Sequence, residues 1–306
     1  MEDVTDTVFR RIVARCGRPD IFFTEFIHTD IVLAKRKKWR GITPRLRFTP
    51  EERPLVAQIW GNDPDQYRRA AIRVREMGFD GIDINMGCPV RKIRKKGACS
   101  ALIRNPGLAA ELVQAAGEGG LPVSVKTRIG YAADESEEWL GHLLRQPIST
   151  LTVHGRTAEQ ESEGPVDWDA IRRAVILRDQ LGVETAILGN GDVISATEIH
   201  ERSAHYGLDG VMVGRGIFTD PYLFAKDGSA GRFAQAPAEE RIALLLEHLS
   251  LYRDYWGEER NYEIMKKFYK VYLTSFPGAE ELRELLNATH DYDAAFAVID
   301  GWRAAA

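Results

Sequence analysis

A chain of 306 residues with 44% hydrophobic and 28% charged side chains can bury a large core, and it suits either a single barrel-sized domain or such a domain with an appendage. No apolar run reaches the length a bilayer requires, and the opening MEDVTDTVFRR has neither the basic start nor the apolar centre of a secretion signal, so a cytoplasmic location is expected. A formal net charge of −4 excludes a globally basic nucleic-acid binder and confines any such contact to local patches, while Cys16, Cys88 and Cys99 match neither a disulfide framework nor a zinc site, so reduced thiols and no metal are expected.

In chain order, residues 4–16 place apolar side chains at helical spacing, with Thr5 or Asp6 as cap and Gly17-Arg18-Pro19 as stop. Residues 21–26 predict a strand. The connection after it carries Lys35-Arg36-Lys37-Lys38-Trp39-Arg40, a basic run with an aromatic inside it, suited to gripping phosphate or to a solvated helix end. Residues 55–60 are the next predicted strand, with a helix running through Met77.

The stretch 79–99, FDGIDINMGCPVRKIRKKGAC, organises the rest. Alternation over 81–85 is that of a buried strand, and Gly87-Cys88-Pro89 breaks it, leaving a thiol in a turn at a strand's C-terminal end. Arg91, Lys92, Arg94, Lys95 and Lys96 follow at once, which would suit a polyanion passing over that thiol. Lone cysteines are more often small buried hydrophobes, and Lys/Arg runs are more often solvated. Position favours chemistry, because in alternating β/α chains reactive groups gather where strands end in loops.

Beyond it, Asn105-Pro106 opens a helix to about Ala116, and the strand 122–128 ends in Lys126-Thr127-Arg128. A helix over 135–144 leads to the strand 149–153, which delivers His154-Gly155-Arg156-Thr157. Then come a helix over 167–181, a strand over 184–188, Asn190-Gly191-Asp192, a helix over 195–206, and a strand from Gly210 ending in Gly214-Arg215-Gly216. Roughly seven strands alternating with helices predict a parallel sheet covered by helices. Polar groups recur after almost every strand, at Gln58, Cys88, Lys126, His154, Asn190 and Arg215. In a barrel they converge on one mouth, whereas an open doubly wound sheet would use only its switch point, so a TIM-type (β/α)8 barrel is the expected fold. From about Pro237 the period is helical throughout, over 239–255, 262–273, 279–287 and 292–304, and Lys266, Lys267 and Lys270 give one helix a basic side. The expected division is a barrel over 1–236 and a small helical domain over 237–306.

Asn190-Gly191-Asp192 and Gly214-Arg215-Gly216 form a candidate phosphate cradle, since glycines let backbone N–H groups approach an anion and Arg215 adds charge; two ordinary tight turns are the bland alternative. Lys126 ends an apolar strand, where an ammonium needs an anionic partner or an open mouth. Beside a flavin ring it would stabilise charge at the N1 and O2 edge; His154 could hydrogen-bond the same ligand, and Gln58 offers both an amide donor and an acceptor.

Asp83-Ile84-Asn85-Met86-Gly87-Cys88-Pro89, together with Val153-His154-Gly155-Arg156-Thr157, Gly189-Asn190-Gly191-Asp192 and Val213-Gly214-Arg215-Gly216, resembles the tRNA-dihydrouridine synthase family, and the resemblance spans nearly the whole chain. It implies an FMN enzyme that uses NADPH to saturate the C5–C6 bond of uridines in tRNA. Cys88 would be the general acid. FMN would be held by Met1, Glu2, Gln58, Lys126, His154, Asn190, Gly191, Asp192, Gly214 and Arg215, while Asn85 and Arg128 would face the uracil. The helical domain would bind tRNA. Family members carry a first strand ending in Ala-Pro just before the methionine that matches Met1, so a barrel lacking its first strand, or a start internal to a longer reading frame, is expected. Cys99 reads as structural. Competing functions are another FMN barrel oxidoreductase acting on a free small molecule and an inactive RNA-binding relative. Oligomeric state is not legible, with a monomer as the default.

Overall fold

Strands that are apolar on one side and polar on the other decide the architecture. The computed structural model describes residues 4–34 and 43–305. By packing, the chain forms two units, one of Asp20–Val193 with Thr197–Gly214 and the other of the remaining described chain.

The first unit holds eight strands among the described residues: β1 (Phe22–Phe23), β2 (Ile27–His28), β3 (Leu55–Trp60), β4 (Gly81–Asn85), β5 (Val123–Arg128), β6 (Thr150–His154), β7 (Ala186–Asn190) and β8 (Gly210–Met212). All pair in parallel in the order β1-β3-β4-β5-β6-β7-β8, and β2 also pairs with β3. Among the described residues no ladder joins β8 to β1 or β2, so the expected barrel is realised as a curled parallel half-barrel.

Register sets the two faces. Gln58, Asp83, Ser124 and Thr150 lie in one row across β3 to β6; Asn85, Lys126 and Thr152 lie in the next; Arg128, His154, Asn190 and Met212 lie in the last. Since side chains alternate with period two, these rows share the inner face. The opposite face presents Ala57, Ile59, Ile82, Ile84, Val125, Leu151, Val153 and Ile187, all buried. Burying each large aliphatic side chain there contributes roughly 1.5–3 kcal/mol.

Helices follow the strands in turn. After α1 (Thr7–Cys16) in the second unit come α2 (Thr29–Leu33), α3 (Pro64–Glu76), α4 (Arg91–Arg94), α5 (Pro106–Gly117), α6 (Ser136–Leu144), α7 (Trp168–Leu181) and α8 (Ala196–Tyr206). The apolar face lies under them: the α6 indole of Trp139 donates to Thr127 Oγ1 on that face at 2.8 Å.

In this unit two strand boundaries shift. Of the strand predicted over 21–26 only Phe22–Phe23 is realised, as β1, because the Thr24 hydroxyl, not a backbone carbonyl, accepts the Gln58 N–H at 3.0 Å and interrupts the ladder; pairing with β3 resumes beyond the predicted end, at β2. The strand predicted over 184–188 begins two residues later, so that Asn190 belongs to β7 and pairs with His154 and Met212.

In the second unit, Asp6 caps α1 by accepting from the Phe9 N–H at 3.0 Å, and its other oxygen accepts from Trp256 Nε1 and Arg260 Nη1, each at 2.8 Å. Phe9 packs against His248 and Phe268. Helices α9 (Ala238–Trp256), α10 (Tyr269–Tyr272), α11 (Ala279–Asn287) and α12 (Tyr292–Ala305) complete it. The single helix expected over 262–273 is a 3-10 turn over Tyr262–Lys267 followed by α10, and the hydroxyls of Tyr262, Tyr269 and Thr289 meet inside the unit. Packing thus groups α1 and the chain from Arg215 onward with the C-terminal helices.

Candidate active site

On the inner face a continuous polar chain begins at Asp83. Its carboxylate, fully buried, accepts from Ser124 Oγ at 2.6 Å and from Gln58 Nε2 at 2.8 Å. Gln58 Oε1 accepts from Asn85 Nδ2 at 3.1 Å, and Asn85 Oδ1 takes the backbone N–H groups of Gly87 and Cys88 at 3.1 and 2.9 Å. Asn85 therefore acts as the stop for β4: an Asx-type turn fixes the residue bearing the thiol. Cys88 itself is half-buried.

Charge on this face is costly. Burial raises the Asp83 carboxyl to about 6, against the pull of Ser124, Gln58 and Lys126. Burial and then Arg128 lower the Lys126 ammonium to about 7, with Asp83 opposing. Arg128 is brought down to about 10 by burial, with Arg156 and Arg94 adding repulsion and Cys88 lying close enough to oppose it. An anion arriving here would relieve both cations.

Arg128 also works as a bracket. Its Nε donates to Gly87 O at 2.7 Å, and Nη1 donates to Thr157 O at 2.8 Å and to Glu161 O at 2.6 Å. The loops after β4 and β6 are thereby tied to the end of β5.

Past β7, Gly191 sits at φ +141°, and a Cβ there would meet Val166 Cγ1 at 2.6 Å and His154 Cδ2 at 3.3 Å, so only glycine lets this loop close on the His154 ring. Asp192 pairs with buried Arg156, which also donates through Nε to Gly164 O at 3.0 Å and lies 3.5 Å from His154 Nε2. Asn190 Nδ2 donates to Met212 O at 2.7 Å, fastening β7 to β8. A separate cleft beside α7 and α8 is bounded by Gly191, Asp192, Trp168 and Arg202, the last over the Trp168 ring at 4.9 Å.

Of the residues singled out in the sequence, the structure gathers Gln58, Asn85, Lys126, Arg128, His154 and Asn190 on one face, with Cys88 at the turn following β4 and Gly191 and Asp192 in the loop following β7. Gly214 follows β8 with open space at its Cβ position, and Arg215 begins a 3-10 turn of the other unit. Met1, Glu2 and the basic run 35–40 lie outside the described residues. The cations at 91–96 surround α4: Arg91, Lys92, Lys95 and Lys96 are exposed, while Arg94 donates to the Tyr131 hydroxyl at 3.2 Å, and Arg104 lies 3.6 Å from the same ring. The sequence reading overlooked Asp83, Ser124 and Arg156. Period-two counting back from Asn85 would have put Asp83 on the same face, and Arg156 stood two residues beyond His154.

A parallel β/α half-barrel with a polar inner face, a pair of depressed cations and a tethered thiol at the C-terminal ends of its strands is the architecture of a β/α-barrel enzyme. A family model described as "Dihydrouridine synthase (Dus)" matches residues 1–303. "Probable tRNA-dihydrouridine synthase 2" of Bacillus subtilis (strain 168) is 44% identical over 302 residues, 98% of this chain and 91% of that protein. "Probable tRNA-dihydrouridine synthase" of Staphylococcus aureus (strain COL) is 42% identical over 306 residues, 99% of this chain and 92% of that one. In fold, histamine dehydrogenase from Rhizobium sp. 4-9 is similar with TM-score 0.54 at 12% identity, over 81% of this chain and about half (47%) of that one. The chain belongs to the dihydrouridine synthase family.

Proposed function

We infer that this protein reduces the C5–C6 double bond of specific uridines in tRNA to 5,6-dihydrouridine, with a bound FMN recharged by NADPH, and that it does so in the cytoplasm. What carries the reading is the turn in which Asn85 holds Cys88 close to the buried Arg128, in a chain matched to its family from residue 1 to 303.

The residues present fit a flavin. The inner face offers Gln58, Lys126, His154 and Asn190, all half-buried, to an aromatic, hydrogen-bonding, partly anionic partner, and the Gly191 turn admits close backbone approach. Those residues, with Gly191, Asp192, Gly214, Arg215, Met1 and Glu2, would hold FMN, which when bound supplies the hydride for uracil C6. The chain's own residues do the rest. Cys88 delivers a proton to C5, so its thiol has to be protonated when the base arrives. Lys126 and Arg128 offset negative charge growing on the pyrimidine. Asn85 keeps the sulfur in place, and Arg128 keeps the rim closed around the base. A uridine reaches this face only when splayed from its stack, so the exposed cations around α4 and the helical residues 237–306 grip the tRNA backbone.

The test is Cys88→Ala with unmodified tRNA and NADPH, reading dihydrouridine by mass spectrometry. A general acid is worth about 10²–10⁴-fold, and a loss of that size with flavin content unchanged is expected. Undiminished turnover, or NADPH oxidation driven equally by free uracil, overturns the reading.

A further inference from the structure

Of the three cysteines, Cys16 is sequestered: burial pushes its thiol up to about 12, and its hydrogen-bond partner is Tyr222. The other two meet. The Cys99 thiol lies within hydrogen-bonding reach of both the thiol and the backbone N–H of Cys88. The two segments are pinned together one residue further on, where Ser100 Oγ donates to Cys88 O at 2.9 Å and Ser100 N–H donates to the same carbonyl at 3.4 Å. Cys99 adopts φ +53°, a left-handed backbone that a residue with a side chain seldom takes, at the start of the 3-10 helix Cys99–Arg104. The backbone is thus bent in an uncommon way at the residue whose sulfur faces Cys88.

The two thiols differ in access. Cys88 is half-buried and Cys99 is fully buried. The Arg128 guanidinium lies close enough to Cys88 for their charges to interact. This is the arrangement of an attacking cysteine with a resolving cysteine behind it.

We propose that Cys88 and Cys99 form a reversible oxidation site that closes to a disulfide when the protein meets a peroxide. In the first step the Cys88 thiolate attacks one peroxide oxygen; the O–O bond breaks, Cys88 becomes a sulfenic acid, and the other oxygen leaves as hydroxide and takes a proton to become water. In the second, the Cys99 sulfur attacks the sulfenic sulfur; the S–S bond forms, the S–O bond breaks, and water leaves with the Cys99 proton. Two thiols lose two electrons in all, and one peroxide gains them. The half-buried Cys88 sulfur stays the point at which an external dithiol reopens the bond. Closure removes the proton donor, so it stops uridine reduction; that consequence rests on the role assigned above to Cys88.

The experiment treats the flavin-loaded full-length protein with stoichiometric hydrogen peroxide and maps its peptides with and without dithiothreitol. Expected is a Cys88–Cys99 cross-linked peptide, two hydrogens lighter than the sum of its parts and abolished by dithiothreitol, with Cys16 still alkylatable. Cys99→Ser and Cys99→Gly, the second compatible with the left-handed backbone, should turn over tRNA like the wild type but lose activity irreversibly under peroxide, with Cys88 accumulating as sulfinic acid. Absence of the cross-link in wild type, or Cys88 over-oxidation at equal rates with and without Cys99, overturns the proposal. The two readings fail separately: a cross-link that leaves tRNA reduction intact upholds the oxidation site and overturns the acid role of Cys88, whereas no cross-link in a protein whose Cys88→Ala variant is dead does the reverse.

Discussion

Lys126 illustrates how a single residue can be shaped for a charged partner. Its ammonium is lowered to about 7 from 10.5, by burial before the repulsion of Arg128. Between those values the unfolded chain carries a proton that the folded chain has released, so stability rises with pH across that window. Wild type should therefore gain about 2–3 kcal/mol on Lys126→Met between pH 6.5 and pH 9. Urea midpoints of both proteins at the two pH values measure it, and parallel pH slopes would refute it. Asn85 carries a second expectation. It holds two N–H groups of the Cys88 turn, and loosening a turn that loses about 2–3 kcal/mol of positioning should cost about 100-fold in kcat for Asn85→Ala, with tRNA affinity little changed. Here the sequence was informative by type and silent by partner. Cys88 announced itself through the Gly-Cys-Pro break, but that Asn85 points back at it, or that Cys99 faces it, depends on a turn and a left-handed residue that no spacing reveals.

At the scale of elements, β5 is the strand on which most depends. Ser124 steadies Asp83, Lys126 follows one step up the same face, and Arg128 bridges the loops after β4 and β6. Losing that bridge leaves three carbonyls without their donor. Arg128→Met should lower stability by about 3 kcal/mol and make residues 157–164 the first site of limited proteolysis, and Arg128→Lys, lacking the planar fork, should recover less than half of it. Equal proteolysis patterns would remove the bracket from the account. Most strands and long helices were legible, because period two in β3 to β6 and helical period in α3 and α7 are strong signals. Shorter elements were not. The break between β1 and β2 comes from one threonine hydroxyl, and the 3-10 turn before α10 accompanies a buried meeting of hydroxyls from positions 262, 269 and 289; both are tertiary choices.

At the scale of the whole molecule, charge is arranged against the average. The chain is net negative at −4, yet Arg91, Lys92, Lys95 and Lys96 stand exposed around α4. Binding of tRNA should accordingly weaken steeply with salt, and replacing Lys95 and Lys96 with Gln should reduce the slope of log K against log salt by about 1.5 while leaving kcat on saturating tRNA unchanged. Anisotropy titrations between about 50 and 200 mM salt would show it; an unaltered slope would move the contact elsewhere. The family was readable from Asp83-Ile84-Asn85-Met86-Gly87-Cys88-Pro89 joined to His154-Gly155-Arg156-Thr157, because those strings mark strand ends that the register brings onto one half-barrel. Which parts of the chain pack together was not readable, since nothing local to α1 says that its Asp6 reaches Trp256 and Arg260.

The alternation that separates Lys126 and Arg128 from Val125 and Thr127 makes the protein sensitive to the parity of its length changes. Removing one amino acid within β5 would turn two cations toward the helices and drag an aliphatic partner into the polar side, so such a variant should be insoluble. Removing two would shorten the strand yet preserve its handed order of oil and water, and that protein should still be recovered as a folded, if weaker, scaffold.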